Sequence, residues 1–157
     1  MLKGLIIFAA QYLYLVIMLI AAVHFFLLPK GEKKFFVILA VIALPCIYAT
    51  SKIVAHFYFD PRPFVVGHFT PLIPHSPDNG FPSDHALLTS AVASVMFVYN
   101  KKVSLVLWVL TLIVGVARVM AGVHHMVDII GAVTISILLT PIIEYVLKRQ
   151  RVFLYRH

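Results

Sequence analysis

The sequence is poor in charge. Only 12% of its 157 residues are Asp, Glu, Lys or Arg and just 6 are acidic, whereas 62% are hydrophobic. A soluble domain of this length cannot hide that much apolar surface, so the composition excludes an ordinary water-soluble fold and indicates a membrane protein. Cysteine is almost missing. The single one, Cys46, lies in an apolar run, which rules out an internal disulfide and reads as a small packing hydrophobe. No internal repeat, low-complexity tract or linker interrupts the chain, so residues 1–157 read as one domain. In a chain this apolar, the net charge of +7 is assigned to basic loops that set membrane orientation, and nucleic acid is not an expected partner.

What is present is apolar sequence in long runs. A hydrocarbon core of about 30 Å takes roughly 20 residues of helix. Five stretches qualify or nearly do: residues 4–28, 35–58 (with Pro45 as an expected kink), 84–99 (somewhat short), 103–122 and 125–147. The expectation is therefore all-α, a polytopic membrane bundle of about five transmembrane helices. The first run is too long for a signal peptide, and no small-residue cleavage site follows it.

The connections differ in kind. "PKGEKK" (29–34), "NKK" (100–102) and the tail from residue 148 are basic, whereas 59–82 is long and rich in Pro, His, Asp and Gly. If five helices alternate, Lys30, Lys33, Lys34, Lys101, Lys102, Lys148, Arg149, Arg151 and Arg156 share one side, nine of the 13 basic residues. The positive-inside bias makes that side cytoplasmic and puts the N-terminus outside; Lys3 alone argues against it. Asp60, Asp78, Asp84 and Asp128, four of the 6 acids, then fall on the outer side with Arg62 and Arg118. Polar residues from several helix ends thus converge on one membrane face.

Three segments carry the chemistry: "KIVAHFYFDPRPF" (52–64), "FPSDH" (81–85) and "ARVMAGVHHMVD" (117–128). Arg62 stands between two prolines that stiffen its backbone, which suits bidentate recognition of phosphate or carboxylate; alone it serves equally as an interfacial arginine. Ser83 is a natural N-cap, and a helix starting there offers free N–H groups to an anion. By itself it reads as a cap; the set of Ser83, Asp84 and His85 reads as a site. His124 and Asp128 are four apart, so the carboxylate can fix the imidazole tautomer and leave the other nitrogen free as nucleophile or base. Gly122 permits a tight turn or close approach.

A zinc site from His85, His124, His125 and Asp128 is the rival. No His-Glu-x-x-His pattern exists and two arginines repel a cation, so no metal is expected. Two arginines, a helix N-terminus, two histidines and an orienting aspartate suit a phosphoryl group, with one histidine attacking phosphorus and the other protonating the leaving oxygen. At an apolar membrane face, the natural substrate is a lipid phosphate.

These segments resemble the type 2 phosphatidic acid phosphatase (PAP2) superfamily, which shares its core with vanadium haloperoxidases. The family pattern is Lys-six residues-Arg-Pro, then Pro-Ser-Gly-His, then Ser-Arg-five residues-His-three residues-Asp. It is matched by Arg62-Pro63, by Pro82 to His85, and by Arg118, His124 and Asp128, over residues 52–131. The resemblance implies His124 as the nucleophile through a phosphohistidine, Asp128 as its orienter and His85 as the general acid. It implies Arg62, Arg118, Ser83 and the amides near Asp84 as the phosphate cradle, with no cofactor. Three positions depart from it. The family lysine falls on Ala55, with Lys52 one turn back as a stand-in; the third-motif serine is Ala117; the second-motif glycine is Asp84.

"YFDPRPF…LIPHSPDNGFPSDH" is further similar to the bacitracin-resistance-type undecaprenyl pyrophosphate phosphatases. That implies the C55 polyprenyl diphosphate as substrate, met on the outer face of the bacterial plasma membrane, with Asp60, His75 and Asp78 lining the headgroup pocket. The core motifs leave a phosphatidylglycerophosphate or phosphatidic acid phosphatase open. A small transporter or adaptor is the alternative outside enzymes, against which the missing inverted repeat and the motif spacing count. His24, His56, His68, His125, Trp108, the tyrosines, Pro141 and Glu144 are assigned to packing or to the membrane interface; His125 is expected to point about 100° away from His124 on a helix.

Overall fold

The computed structural model describes residues 1–154, and their side chains through Gln150. Arg156 lies outside the described residues, as does the side chain of Arg151. The chain is helical: α1 (Leu2–Gln11), α2 (Leu13–Leu27), α3 (Lys30–Phe57), the single turn α4 (Pro63–Val66), α5 (Asp84–Phe97), α6 (Lys101–Met120) and α7 (Met126–Leu154). The described residues form no strand, only an isolated antiparallel bridge between Pro61 and Asn79.

By length and composition α3, α6 and α7 suffice to cross a bilayer, and α1 with α2 makes a fourth if the pair is one broken span. The run 4–28 is therefore not one straight helix: it breaks at Tyr12, and the two halves are bent by 51°. The stretch that begins at Asp84 yields only 14 helical residues, or about 21 Å at 1.5 Å per residue, short of the hydrocarbon width. Helix lengths alone thus give three or four spans where five were expected. Helix α3 continues through Pro45 and α7 through Pro141.

Sequence explains why α5 sits at the centre. It is rich in Ala, Ser and Thr, and ten of its residues, from Ala86 to Met96, are buried. Small side chains let helices approach closely, and α5 packs against α2, α3, α6 and α7. Two of its hydroxyls are bonded inside the bundle: Thr89 donates to the His85 carbonyl at 2.9 Å and Ser90 to Ser136 Oγ at 2.8 Å. A second buried tie runs from Ser104 Oγ to the Ala93 carbonyl at 2.8 Å. The outer surface is the reverse of a soluble protein's. Val41, Leu105, Leu112, Ile130 and Leu138 are all exposed, an arrangement that lipid tolerates and water does not.

Helix ends then fix the site. The C-terminal ends of α3 and α6 and the N-terminal ends of α5 and α7 meet at one end of the bundle. The loop 58–83 lies over them, tied down by Leu72 N–H to the Ala121 carbonyl at 3.0 Å and by the buried Ile73.

Candidate active site

The turn after α6 is shaped by Gly122. Its φ is +77°, a left-handed conformation open to glycine, and a Cβ there would meet the Phe69 ring at 2.6 Å. The chain then reaches His124 and His125 before α7 opens at Met126. Neither histidine is helical, so the geometry does not follow from spacing on a helix face. Asp128 occupies the third position of α7, and its Oδ2 accepts the His125 backbone N–H at 2.9 Å, the return bond of a capping box. The same oxygen lies 3.1 Å from His124 Nδ1.

On the other side of the ring, Arg62 Nη1 lies 3.3 Å and Arg118 Nη2 3.2 Å from His124 Nε2. Guanidinium nitrogens only donate. Both contacts therefore require a lone pair on Nε2, which places the ring hydrogen on Nδ1, donated to Asp128. Burial, opposed by the bond to Asp128 and reinforced by the two guanidinium charges, holds His124 below the ordinary histidine value. The product is a neutral imidazole with a free, oriented nitrogen between two cations. Such a group can attack phosphorus, and the cations can hold the oxygens around it.

Each arginine is anchored in turn. Arg62, 5% exposed, donates from Nε to Asp78 at 2.7 Å and from Nη1 to the Val123 carbonyl at 2.8 Å. Burial works against the Asp78 charge, but the bond to Arg62 and its charge hold the carboxyl below the usual range. Arg118, 3% exposed, reaches the Ala10 carbonyl at 3.5 Å, and its Nε has no hydrogen-bond partner among the described residues. Ser83 stands at the N-cap of α5, yet its hydroxyl makes no capping bond. That hydroxyl is fully buried and likewise unpartnered among the described residues. Arg118 Nε–H and Ser83 Oγ–H are thus buried donors with nothing to donate to.

The remaining predicted residues are more dispersed. His85, in the first turn of α5, packs edge-on against Tyr14 at 5.0 Å between ring centroids. His75 stands edge-on to His124 at 5.9 Å; burial first, then Arg62 and Arg118, hold it below the ordinary histidine value. Lys52 pairs with Asp84 at 3.1 Å on the rim, both side chains exposed, and its ammonium lies over Tyr48. Position 55, where a lysine was looked for, contributes only a carbonyl that accepts from Asn79 at 3.1 Å. Asp60 is engaged by His125, Nδ1 to Oδ2 at 2.9 Å.

Sequence reasoning missed Tyr14, Asn79 and His125. Asn79 accepts from Asp60 N–H at 2.9 Å and from Phe81 N–H at 3.0 Å, and so shapes the loop that carries Arg62. The assignment of His125 to packing is corrected: it precedes α7, so no helical rotation carries it away. Asp60, His125 and Asp128 bring candidate ligand atoms within 4.8 Å of one another. Asp60 Oδ2 and Asp128 Oδ2 are engaged in the hydrogen bonds described, whereas Asp128 Oδ1 is buried without a partner among the described residues.

A histidine braced by a carboxylate and faced by two buried arginines, at one end of a bundle with an apolar exterior, forms a candidate anion site. The PAP2 superfamily profile matches residues 10–152. The chain belongs to the PAP2 superfamily and is a multi-pass membrane protein. It is 38% identical over 82 residues to undecaprenyl-diphosphatase BcrC of Bacillus subtilis, covering 52% of this chain and 42% of that protein. It is 30% identical over 139 residues to the bacitracin transport permease protein BcrC of Bacillus licheniformis, covering 88% of this chain and 68% of the relative. The structure of Aquifex aeolicus LpxE superposes with a TM-score of 0.72 at 21% identity, over 92% of this chain and 86% of that one. The PAP2-type phosphatidylglycerolphosphate phosphatase of Bacillus subtilis superposes with a TM-score of 0.61 at 22% identity, over 93% and 74% of the two chains. Both share the fold.

Proposed function

We propose that this chain is a lipid phosphatase that hydrolyses undecaprenyl diphosphate to undecaprenyl phosphate at the outer face of the bacterial plasma membrane. The observation that carries the reading is the convergence of Arg62 and Arg118 on Nε2 of a His124 whose Nδ1 faces Asp128. His124 Nε2 attacks the terminal phosphorus, the bond to the bridging oxygen breaks, and His85 gives that oxygen a proton. Prenyl phosphate leaves. Water then attacks the phosphohistidine and gives a proton to His85, the P–N bond breaks, and inorganic phosphate departs with both His124 and His85 restored. Arg62, Arg118 and Ser83 hold the equatorial oxygens, with the amides at Asp84, through charge-assisted bonds that strengthen as charge builds. No step calls on a metal.

The substrate choice draws on the diphosphatase name of the Bacillus subtilis relative. A diphosphate needs cationic or neutral donors for its second phosphate. Lys52 on the rim and His75 from the outer loop are suited to it, with Asp78 and Asp60 shaping the pocket around Arg62. The orientation draws on the basic residues at the starts of α3 and α6 and on Lys148 and Arg149 near the end of α7, the helix ends remote from the site.

The test is phosphate release from undecaprenyl diphosphate in detergent with excess chelator, comparing wild type with His124→Ala. Release by wild type alone is the expected result. Loss of release on adding chelator, or equal release by both proteins, overturns the mechanism. Phosphatidic acid and phosphatidylglycerophosphate, offered at equal concentration, rank the substrate.

A further inference from the structure

Neither Asp60 nor His125 takes part in the chemical steps above, yet they make one of the shortest side-chain contacts near the site, 2.9 Å from Nδ1 to Oδ2. Asp60 is 15% exposed at its side chain and His125 41%. The contact joins the loop that carries Arg62 to the loop that carries His124. Two residues further along the first loop and two earlier in the second, Arg62 donates to the Val123 carbonyl at 2.8 Å. Asp60 opposite His125 and Arg62 opposite Val123 is the register of an antiparallel pair, made here through side chains.

Both members have a second anchor. The backbone of Asp60 accepts from Gly80 N–H at 2.8 Å and donates to Asn79 at 2.9 Å, which binds it to the segment leading to Ser83. Gly80 is closely packed: a Cβ would stand 3.2 Å from the Asp60 carbonyl and 3.0 Å from Asp128 Oδ2, so a larger residue requires its neighbours to give by a few tenths of an ångström. The backbone N–H of His125 goes to Asp128 Oδ2, the atom that orients His124. The Asp60–His125 contact and the backbone bonds of its two members therefore link all three motif segments one step behind the reacting atoms.

We propose that the Asp60–His125 pair is a positioning contact of the phosphate site, fixing the register of the Arg62 loop against the nucleophile loop without touching substrate. This use of Asp60 replaces the direct headgroup contact, and it rests on the phosphatase reading. A catalytic group displaced by about 1 Å costs roughly 100-fold in rate, which sets the size of the effect.

The experiment uses the full chain in detergent with excess chelator, as Asp60→Ala, His125→Ala, the double variant and His125→Asn. Turnover of undecaprenyl diphosphate, its KM, and inhibition by orthovanadate are measured. Asparagine is the conservative choice because its Nδ2–H occupies the place of the histidine Nδ1–H. Each alanine variant is expected to lose roughly 10- to 100-fold in kcat and to bind vanadate correspondingly less well, with KM little changed. The double variant is expected to be no worse than either single one, and His125→Asn to recover most of the loss. Losses that multiply in the double variant, or a His125→Asn protein as impaired as His125→Ala, overturn the proposal. So does an Asp60→Ala effect confined to KM with His125→Ala unaffected, the mark of a headgroup contact. If wild type releases no phosphate, the functional reading fails separately. Vanadate-induced thermal stabilisation, weaker in His125→Ala and restored in His125→Asn, still decides the register.

Discussion

Arg62 and Arg118 aim their guanidinium groups at the same atom, His124 Nε2, from 3.3 and 3.2 Å. Two like charges brought together in a buried site repel each other, and a dianionic phosphoryl group between them removes that repulsion. Shape matters here as much as charge, because each arginine spends other nitrogens on fixed partners. Arg62→Lys and Arg118→Lys keep the charge and lose the fork. Each is expected to lower kcat/KM by about 100-fold or more, within the range for removing a transition-state donor; steady-state kinetics on the detergent-solubilised protein checks this.

Asp128 decides which His124 nitrogen is free. Asp128→Asn offers the ring an amide and removes the charge that favours the correct tautomer, so kcat is expected to fall by roughly 100- to 10,000-fold with little change in KM. The pH dependence follows from the environment of His124. In the proposed mechanism the reactive form is the neutral imidazole, and burial first, with Arg118 and Arg62, depresses its pKa while Asp128 raises it. Activity is therefore expected to be lost as pH falls through a value below the ordinary 6.5. In Asp128→Asn the raising influence is gone, so the acid limb is expected to move to still lower pH on a lower plateau. A shift to higher pH in kcat/KM profiles contradicts this assignment.

How much of this was readable from sequence depends on the distance over which each contact acts. His124 and Asp128 are close along the chain, and Arg62, Ser83, His85 and Arg118 announced themselves as polar residues at the ends of apolar runs. Tyr14 against His85, Phe69 over Gly122 and His125 against Asp60 join parts of the chain far apart in sequence, and no periodicity marks them. The break at Tyr12 was hidden because the run is apolar on both sides of it, with no proline or glycine at the break. The brevity of α5 was partly visible, but not its burial, which follows from neighbours on several sides.

Ser83 Oγ and Arg118 Nε are buried donors without partners among the described residues. An unsatisfied buried polar group costs about 1–3 kcal/mol, and an oxyanion offers it an acceptor. Orthovanadate or inorganic phosphate is therefore expected to raise the melting temperature, in line with mass-action linkage. Ser83→Ala is expected to leave stability unchanged or slightly improved while lowering kcat about tenfold or more. A Ser83→Ala protein that is less stable but equally active reverses both parts.

Gly122→Ala combines a left-handed φ of +77° with a clash against Phe69. A strained backbone position of this kind costs on the order of 1–3 kcal/mol, and the turn it distorts carries His124. Both thermal stability and turnover are expected to drop. Gly4→Ala, where nothing lies within 4 Å of the added carbon, is expected to change neither.

The capping box at α7 has a consequence for the helix and the site together. The oxygen that receives the His125 N–H to start the last helix is the oxygen that orients His124. In the proposed mechanism, winding the first turn of α7 and orienting the nucleophile draw on one atom, so a change at Asp128 unsettles the start of the helix and the histidine together.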